Sequence, residues 1–284
     1  MEIAFSKAGI GGLLADSFDR AVQARPRAFP NVEPRGRTLI MVADFGGQHK
    51  GPHFDTYAFL VLDLDKNPQW FEGQRLFRQT VMPNVRRMSF KAMNDRHRRQ
   101  ALIPFLSLAD GIVGWLVLFA VSKTGGSLFR SVEMSAEAKD LLADWKPSVR
   151  ERLLRIMHFS SFLLSGLSVP GQNCLWIIDE DEIAANVQQL TQLTKVLAVV
   201  SSNSIVHDLG HLRCGTTRSD DGTLSLEDLV AICDLGAGAF SDVATAMMSE
   251  GRFPRGDIVT ALPHGLSWMS RVLTTWLAAV GGPL

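Results

Sequence analysis

Three observations predict an α/β domain built on a mixed sheet. Short, apolar, β-branched runs alternate with segments of helical spacing along the 284 residues, the pattern of strands covered by helices. The first two runs are joined by Gly-Gly-Gln-His-Lys-Gly-Pro, a connection suited to a wide hairpin, which argues against a wholly parallel sheet. A composition of 46% hydrophobic residues, with 29 Lys plus Arg against 29 Asp plus Glu, supplies a sizeable core. It excludes a uniformly basic nucleic-acid coat and an acidic disordered tail.

The elements follow in chain order. Up to Arg37 the segment RPRAFPNVEPRGR is dense in Pro, Arg and Gly, so residues 1–36 are expected to form an arm leading into the fold. TLIMVAD, Thr38 to Asp44, reads as a buried strand ending in an acid and followed by Gly46 and Gly47. TYAFLVLD, Thr56 to Asp63, is the second strand. A helix is expected near Pro68, another over Asn94 to Leu108, and a third strand at VGWLVLFAV, Val113 to Val121. From Ser135 the spacing becomes helical, first in SAEAKDLLADW. It continues in PSVRERLLRIMHFSSFLLSGL, which has a proline in its first turn and is closed by Gly166 and Pro170. CLWIID, Cys174 to Asp179, is the fourth strand, again ending in an acid.

Helical spacing resumes from Ile183 to Val199, and a short irregular segment covers Ser204 to Arg213. LSLEDLVAICDLGAGAFSDVATAMM is a long apolar helix whose Gly236, Ala237 and Gly238 permit close packing on a sheet. One more apolar helix is expected from about Asp257 to Pro283. The domain should therefore span 37–243, with 244–284 a helical extension packed on it.

Cys174, Cys214 and Cys233 are far apart and include no C-x-x-C pair, which favours a reduced, cytoplasmic protein. The first residues lack the basic start and apolar stretch of a secretory signal. The longest apolar stretch, Gly111 to Ser122, falls short of the roughly 20 residues of a membrane span, so no membrane partner is expected.

Three acids stand where chemistry is plausible: Asp44 and Asp179 end core strands, and Asp234 lies inside the apolar helix AICDLGAG. A carboxylate on a buried helix face is costly to desolvate unless something pairs with it. If the first and fourth strands are neighbours and the helix crosses them, the three converge into an oxygen-rich cluster suited to Mg²⁺ or Mn²⁺. Two such ions about 4 Å apart activate a water and stabilise the leaving oxygen in phosphodiester hydrolysis. A structural reading stands beside this one, with Asp44 capping the turn before Gly46. In that reading the run Asp179, Glu180, Asp181 and Glu182 sits at a helix N-terminus, where acids are favoured.

Charge placement points to a polyanion. Between Arg75 and Arg99 lie Arg75, Arg78, Arg86, Arg87, Lys91, Arg96, Arg98 and Arg99, with Asp95 the sole acid, a stretch able to neutralise several phosphates. Its alternative is a solvated face whose Arg stems cover the core. Met88 and Phe90 stack bases in the first reading and fill the core in the second. A competing cluster, His207 and His211 with Cys214, has the i, i+4 spacing of a transition-metal site on a helix, although Gly210 interrupts it. His49 and His53, beside Asp44 in sequence, are candidates for proton transfer. Neither a dinucleotide-binding glycine fingerprint, a phosphate-binding P-loop nor a serine nucleophile elbow is present.

These residues resemble the ribonuclease-H-like superfamily, and within it a bacterial family of unknown function whose first strand ends in Asp-Glu-Ser. That family shows a Glu-Leu-Lys step before a helix, an acid ending a later strand, and a helix reading Leu-x-x-Ala-Asp-Leu-x-Ala-Gly. The corresponding stretches here are Ala43-Asp44-Phe45-Gly46, Ser89-Phe90-Lys91, Ile178-Asp179 and Val230 to Gly238, over roughly Arg37 to Asp242. The resemblance implies a Mg²⁺- or Mn²⁺-dependent nuclease fold with Asp44, Asp179 and Asp234 as ligands. It further implies Lys91 on phosphate and a setting in bacterial defence or mobile elements.

Two departures qualify the likeness: Phe45-Gly46 replaces Glu-Ser, and Ser89 stands where the family has a glutamate. Asp95 is the candidate replacement carboxylate. The other reading is a catalytically weak or inactive scaffold that binds nucleic acid, or binds a protein partner or second copy through the C-terminal helix with Trp268 and Trp276.

Overall fold

The computed structural model describes residues 10–24, 36–47, 51–84, 86–129, 136–252 and 262–279. Five strands, β1 (Thr38–Gly46), β2 (Phe54–Asp63), β3 (Gly114–Ser122), β4 (Asn173–Ile178) and β5 (Leu212–Thr216), form one mixed sheet in the order β3-β2-β1-β4-β5. β1, β4 and β5 run parallel. Helices flank the sheet: α1 (Ile10–Ala24), α2 (Pro68–Thr80), α3 (Arg96–Ala109), α4 (Ala136–Leu141), α5 (Pro147–Leu167), α6 (Val187–Ser202), α7 (Ser225–Ser249) and α8 (Trp268–Ala278). The α/β class and the mixed sheet are those the sequence predicts.

Burial explains the strand sequences. Leu39 to Ala43 of β1 and Tyr57 to Leu62 of β2 are covered throughout, so they read as continuous apolar runs rather than alternating ones. β3 is half-buried along its whole length, as befits the outer position. Lys123, just past β3, donates its backbone N–H to His53, just before β2, at 3.1 Å, so these two strands are antiparallel. β4 and β5 pair in parallel with Cys174 opposite Leu212 and Ile178 opposite Thr216. β5 falls in the segment that the sequence reads as irregular, because LRCGT is too short and too polar to show a strand period.

The chain divides into two compact units. The first comprises Met1–Met41, Val61–Lys66 and Ser127–Thr216. Its core is α5 and α6, where Leu153, Ile156, Leu164, Leu193, Leu197 and Val200 are buried. Helix α1 occupies part of the expected arm. Its Phe18 meets Phe162 of α5 edge-on at 5.9 Å, a tertiary contact that the Pro-rich stretch after it conceals. Helix α6 starts at Val187, four residues later than its spacing suggests. Asn186 caps it by accepting from Gln189 N–H at 2.8 Å, and Ile183 is held outside it by Trp145 Nε1, which donates to its carbonyl at 2.9 Å. The starts of β1 and β4 are tied by backbone: Asn173 N–H donates to Arg37 O at 2.9 Å. Buried Asp63 receives the Gly36 N–H at 2.6 Å.

The second unit comprises Val42–Leu60, Asn67–Gly126 and Thr217–Leu284. Within it α7 packs on β3 and on α8. Trp276 of α8 donates its Nε1–H to Asp110 at 2.6 Å, and Asn67 exchanges two hydrogen bonds with the Val113 backbone at 2.8 and 3.0 Å. Helix α8 begins at Trp268 behind the capping hydroxyl of Ser267, while the earlier part of the expected C-terminal helix, 257–261, and its end, 280–283, lie outside the described residues. Helix α7 is the one described helix long and apolar enough to cross a membrane, and 67% of its most apolar window is buried inside the protein, as for a core helix.

In the first unit, His158 of α5 is buried and stacks on Phe129 at 5.3 Å, and burial pushes its imidazole down to about 4. The unfolded chain takes up that proton first, so this contribution is complete above pH 6.5 and is lost as pH falls toward 4. Denaturant unfolding of the unaltered chain and His158→Phe from pH 7 to pH 4 should show the unaltered chain losing on the order of 3 kcal/mol more than the variant.

Candidate functional site

The site is built where α7 meets the second half of β1. Cys233 is wholly buried and its Sγ–H points to Val42 O at 3.5 Å. One turn later the Thr56 hydroxyl donates to Ala237 O at 3.1 Å. A Cβ placed on Gly46 would lie 2.7 Å from the Thr56 hydroxyl and 3.5 Å from Ala237 O. Gly46 thus turns its side-chain position toward α7, and the two-residue period of a strand puts Asp44 on the same face. The Cys233 thiol reports the neighbourhood. Burial pushes it well above its ordinary value, and the Asp44 and Asp234 carboxylates both push it the same way. The structure therefore brings Asp44 and Asp234 into one neighbourhood inside the second unit.

Asp234 has a defined partner: its Oδ2 accepts the Phe90 N–H at 2.7 Å. One turn further along α7, a Cβ on Gly238 would lie 2.3 Å from Phe90 Cγ, so the aromatic ring occupies the space that glycine leaves. Gly236 faces β3, 3.4 Å from Leu118 by the same construction. Among the glycines of AICDLGAG, Gly238 is the close-approach point, and Gly236 sits at ordinary contact distance from β3.

Asp179 belongs to the first unit, where it follows β4 directly, half-buried, with Oδ1 accepting the Glu180 N–H at 2.8 Å. Its neighbours serve structure. Arg152 pairs with Asp181 and Glu182, each at 2.8 Å, and Asp181 also accepts the Ile183 N–H at 2.8 Å. Burial raises the Asp181 carboxyl against the pull of Arg152.

Asp95 caps α3, accepting Arg98 N–H on Oδ1 at 3.0 Å and pairing through Oδ2 with Arg86 at 2.8 Å. The Arg98 N–H holds its carboxyl below the ordinary range. Both of its oxygens thus have structural partners.

The basic stretch separates into two groups. Arg78 is buried against Asp228, Arg86 pairs with Asp95, Arg87 with Glu227, and Arg98 donates to Arg87 O at 2.7 Å. Arg75, Lys91, Arg96 and Arg99 are exposed and stand outside these pairs, while Arg86 and Arg87 are exposed and paired. Met88 is 2% exposed and belongs to the core, and half-buried Phe90 is seated against Gly238.

His207 and His211 lie on irregular backbone before β5, so the helical spacing that would aim two imidazoles at one metal is absent. His207 Nε2 lies 3.0 Å from the Ser168 hydroxyl, and burial pushes the Cys214 thiol up to about 12, which favours the protonated, non-ligating form. His53 is exposed, and His49 lies outside the described residues. Among the described residues no group of three or more His, Cys, Asp and Glu side chains could hold a metal ion.

One polar centre has no sequence motif. Asp228, in the first turn of α7, is fully buried and accepts from Gln74 at 2.7 Å and from Arg78 Nε at 2.8 Å, with a second Arg78 nitrogen completing the fork. Burial raises its carboxyl, while the Arg78 guanidinium and the Gln74 amide pull it down. The available signal is on α2: Gln74 and Arg78 share the buried stripe of Trp70 and Phe77, and polar groups on an apolar stripe demand partners.

The chain matches no protein-family model and no curated protein. The strand order with β1, β4 and β5 parallel and helices flanking the sheet is consistent with a ribonuclease-H-like fold, which is a statement about architecture.

The buried pair yields a stability prediction. Asp228→Asn leaves the Arg78 guanidinium buried without its counter-charge and should cost about 3–5 kcal/mol in denaturant unfolding. Replacing both partners, Arg78→Met with Asp228→Leu, should recover most of that loss.

Proposed function

We propose that this chain is a divalent-metal-dependent phosphodiesterase acting on nucleic acid, with Asp44 and Asp234 among its metal ligands. The observation that carries the reading is the close packing of α7 on the end of β1, where Cys233 Sγ–H meets Val42 O and Gly46 faces Ala237, with Asp44 and Asp234 flanking that contact. Mg²⁺ is commonly held by one or two protein carboxylates and completes its octahedron with water and substrate phosphate, and Mn²⁺ favours the same oxygen donors. Two carboxylates of the second unit are a donor set of that kind. When bound, such an ion supplies Lewis acidity and a more acidic water. The chain's own cations at Lys91, Arg96 and Arg99 bind backbone phosphates. Arg86, Arg87 and Arg98 join them by exchanging their carboxylate or carbonyl partners for phosphate. The family likeness suggests bacterial defence or mobile elements as the setting.

A second reading, a binding scaffold without catalysis, is favoured by Ser89 in the place of the family's glutamate and by the structural occupation of Asp95.

Labelled single- and double-stranded DNA and RNA should be cleaved by the protein with Mn²⁺, and cleavage should vanish with EDTA and in Asp44→Ala. Binding without cleavage of any substrate, with no Mn²⁺ uptake by calorimetry, selects the scaffold. Cleavage undiminished in Asp44→Ala and Asp234→Ala overturns the assigned site. The four exposed cations outside the ion pairs, Arg75, Lys91, Arg96 and Arg99, also set the salt response: the log–log slope of affinity for single-stranded DNA should be about −3, against about −6 if all eight basic residues met phosphate.

A further inference from the structure

We infer that Asp234 is a positioning residue: its Oδ2 fastens the turn at Ser89–Met93 to α7 and thereby sets where Lys91 and the start of α3 present their positive charge. Three observations converge on that turn. The Phe90 N–H donates to Asp234 at 2.7 Å, and the Phe90 ring fills the space over Gly238, one helical turn along the same face. Met88 and Met93, on either side of the turn, are 2% and 4% exposed. The segment is thus gripped by two apolar ends and one charged hydrogen bond between them.

From the anchor the backbone is continuous in hydrogen bonds. Ala92 N–H reaches Ser89 O at 3.1 Å, Met93 N–H reaches Phe90 O at 3.3 Å, and Asp95 N–H reaches Ala92 O at 3.1 Å. Asp95 then caps α3. Exposed Lys91 lies inside this chain of turns, and exposed Arg96 and Arg99 lie in the first turn that Asp95 caps. A shift at Phe90 is passed toward all three through these hydrogen-bonded turns.

This also gives Asp234 a use for its charge. A carboxylate accepting a backbone N–H makes a stronger bond than a neutral acceptor, and Oδ1 is left to serve the cation site. What the basic residues bind rests on the reading in the preceding section; the anchor itself does not.

Two readouts separate them. The first is hydrogen exchange of the Phe90 amide, followed by NMR. The second is equilibrium binding of a fluorescein-labelled single-stranded DNA oligonucleotide in EDTA, where no metal ligation contributes. Asp234→Asn keeps an oxygen acceptor and should retain both Phe90 protection and oligonucleotide affinity. Asp234→Ala, and Asp234→Leu as the variant that fills the same volume, should lose Phe90 protection and bind roughly tenfold more weakly. In both, the amides of Leu39 to Ala43 should stay protected, which reports that the sheet is intact.

Phe90 protection unchanged in Asp234→Leu, or oligonucleotide affinity unchanged while Lys91→Ala weakens it, overturns the positioning role. If the unaltered chain binds no oligonucleotide, the nucleic-acid reading falls and the exchange data alone decide the anchor.

Discussion

The close approach of α7 to the sheet is the constraint on which the rest of the second unit depends. A helix whose backbone carbonyl reaches a strand hydroxyl, as Ala237 O does with Thr56, must lie nearer the sheet than side chains ordinarily allow. Gly46 on the strand makes that approach sterically feasible, and Gly238 on the helix leaves room for the Phe90 ring. The separation between β1 and α7 is then too small for solvent, so Cys233 is sealed and Asp44 and Asp234 stand at the edge of the sealed zone. Enlarging any of these small residues would move the carboxylates as well as the core.

The first turn of α7 is held by a different force. Asp228 takes a guanidinium fork and an amide in a fully buried position, an arrangement that contributes little net stability but is severely punished when half is removed. It fixes α7 against α2, whereas the glycine contacts fix α7 against the strands and the turn at Phe90. Two kinds of constraint, one electrostatic and directional and one steric, thus act on the same helix, at Asp228 and at Gly238. Together they set the depth and the rotation of the face that carries Asp234.

How legible was this arrangement from residues alone? The four apolar strands, the helix over AICDLGAG and the hairpin at the start were readable because burial on both faces leaves an uninterrupted apolar run. Strand β5 and helix α1 were not: LRCGT pairs with β4 through its backbone, and α1 owes its place to Phe18 meeting Phe162. At the site, Asp44 and Asp234 were conspicuous because a carboxylate next to glycines in an apolar run needs a reason. The basic stretch was legible as charge but not as partners. Arg78, Arg86 and Arg87 look equivalent to Arg96 and Arg99 in sequence, yet they answer Asp228, Asp95 and Glu227, two of which lie more than 130 residues away.

Sequence by itself determined the α/β class and the small-residue stretch of α7, and singled out Asp44 and Asp234 as candidates, because hydrophobic period and residue size are local properties that every copy of the chain carries unfolded. Only the tertiary structure decided which charges are spent inside the fold and which face solvent, that Asp95 is a helix cap, and that Phe90 fits over Gly238. Those outcomes depend on pairings across long sequence separations, where the partner exists only after the chain has closed on itself.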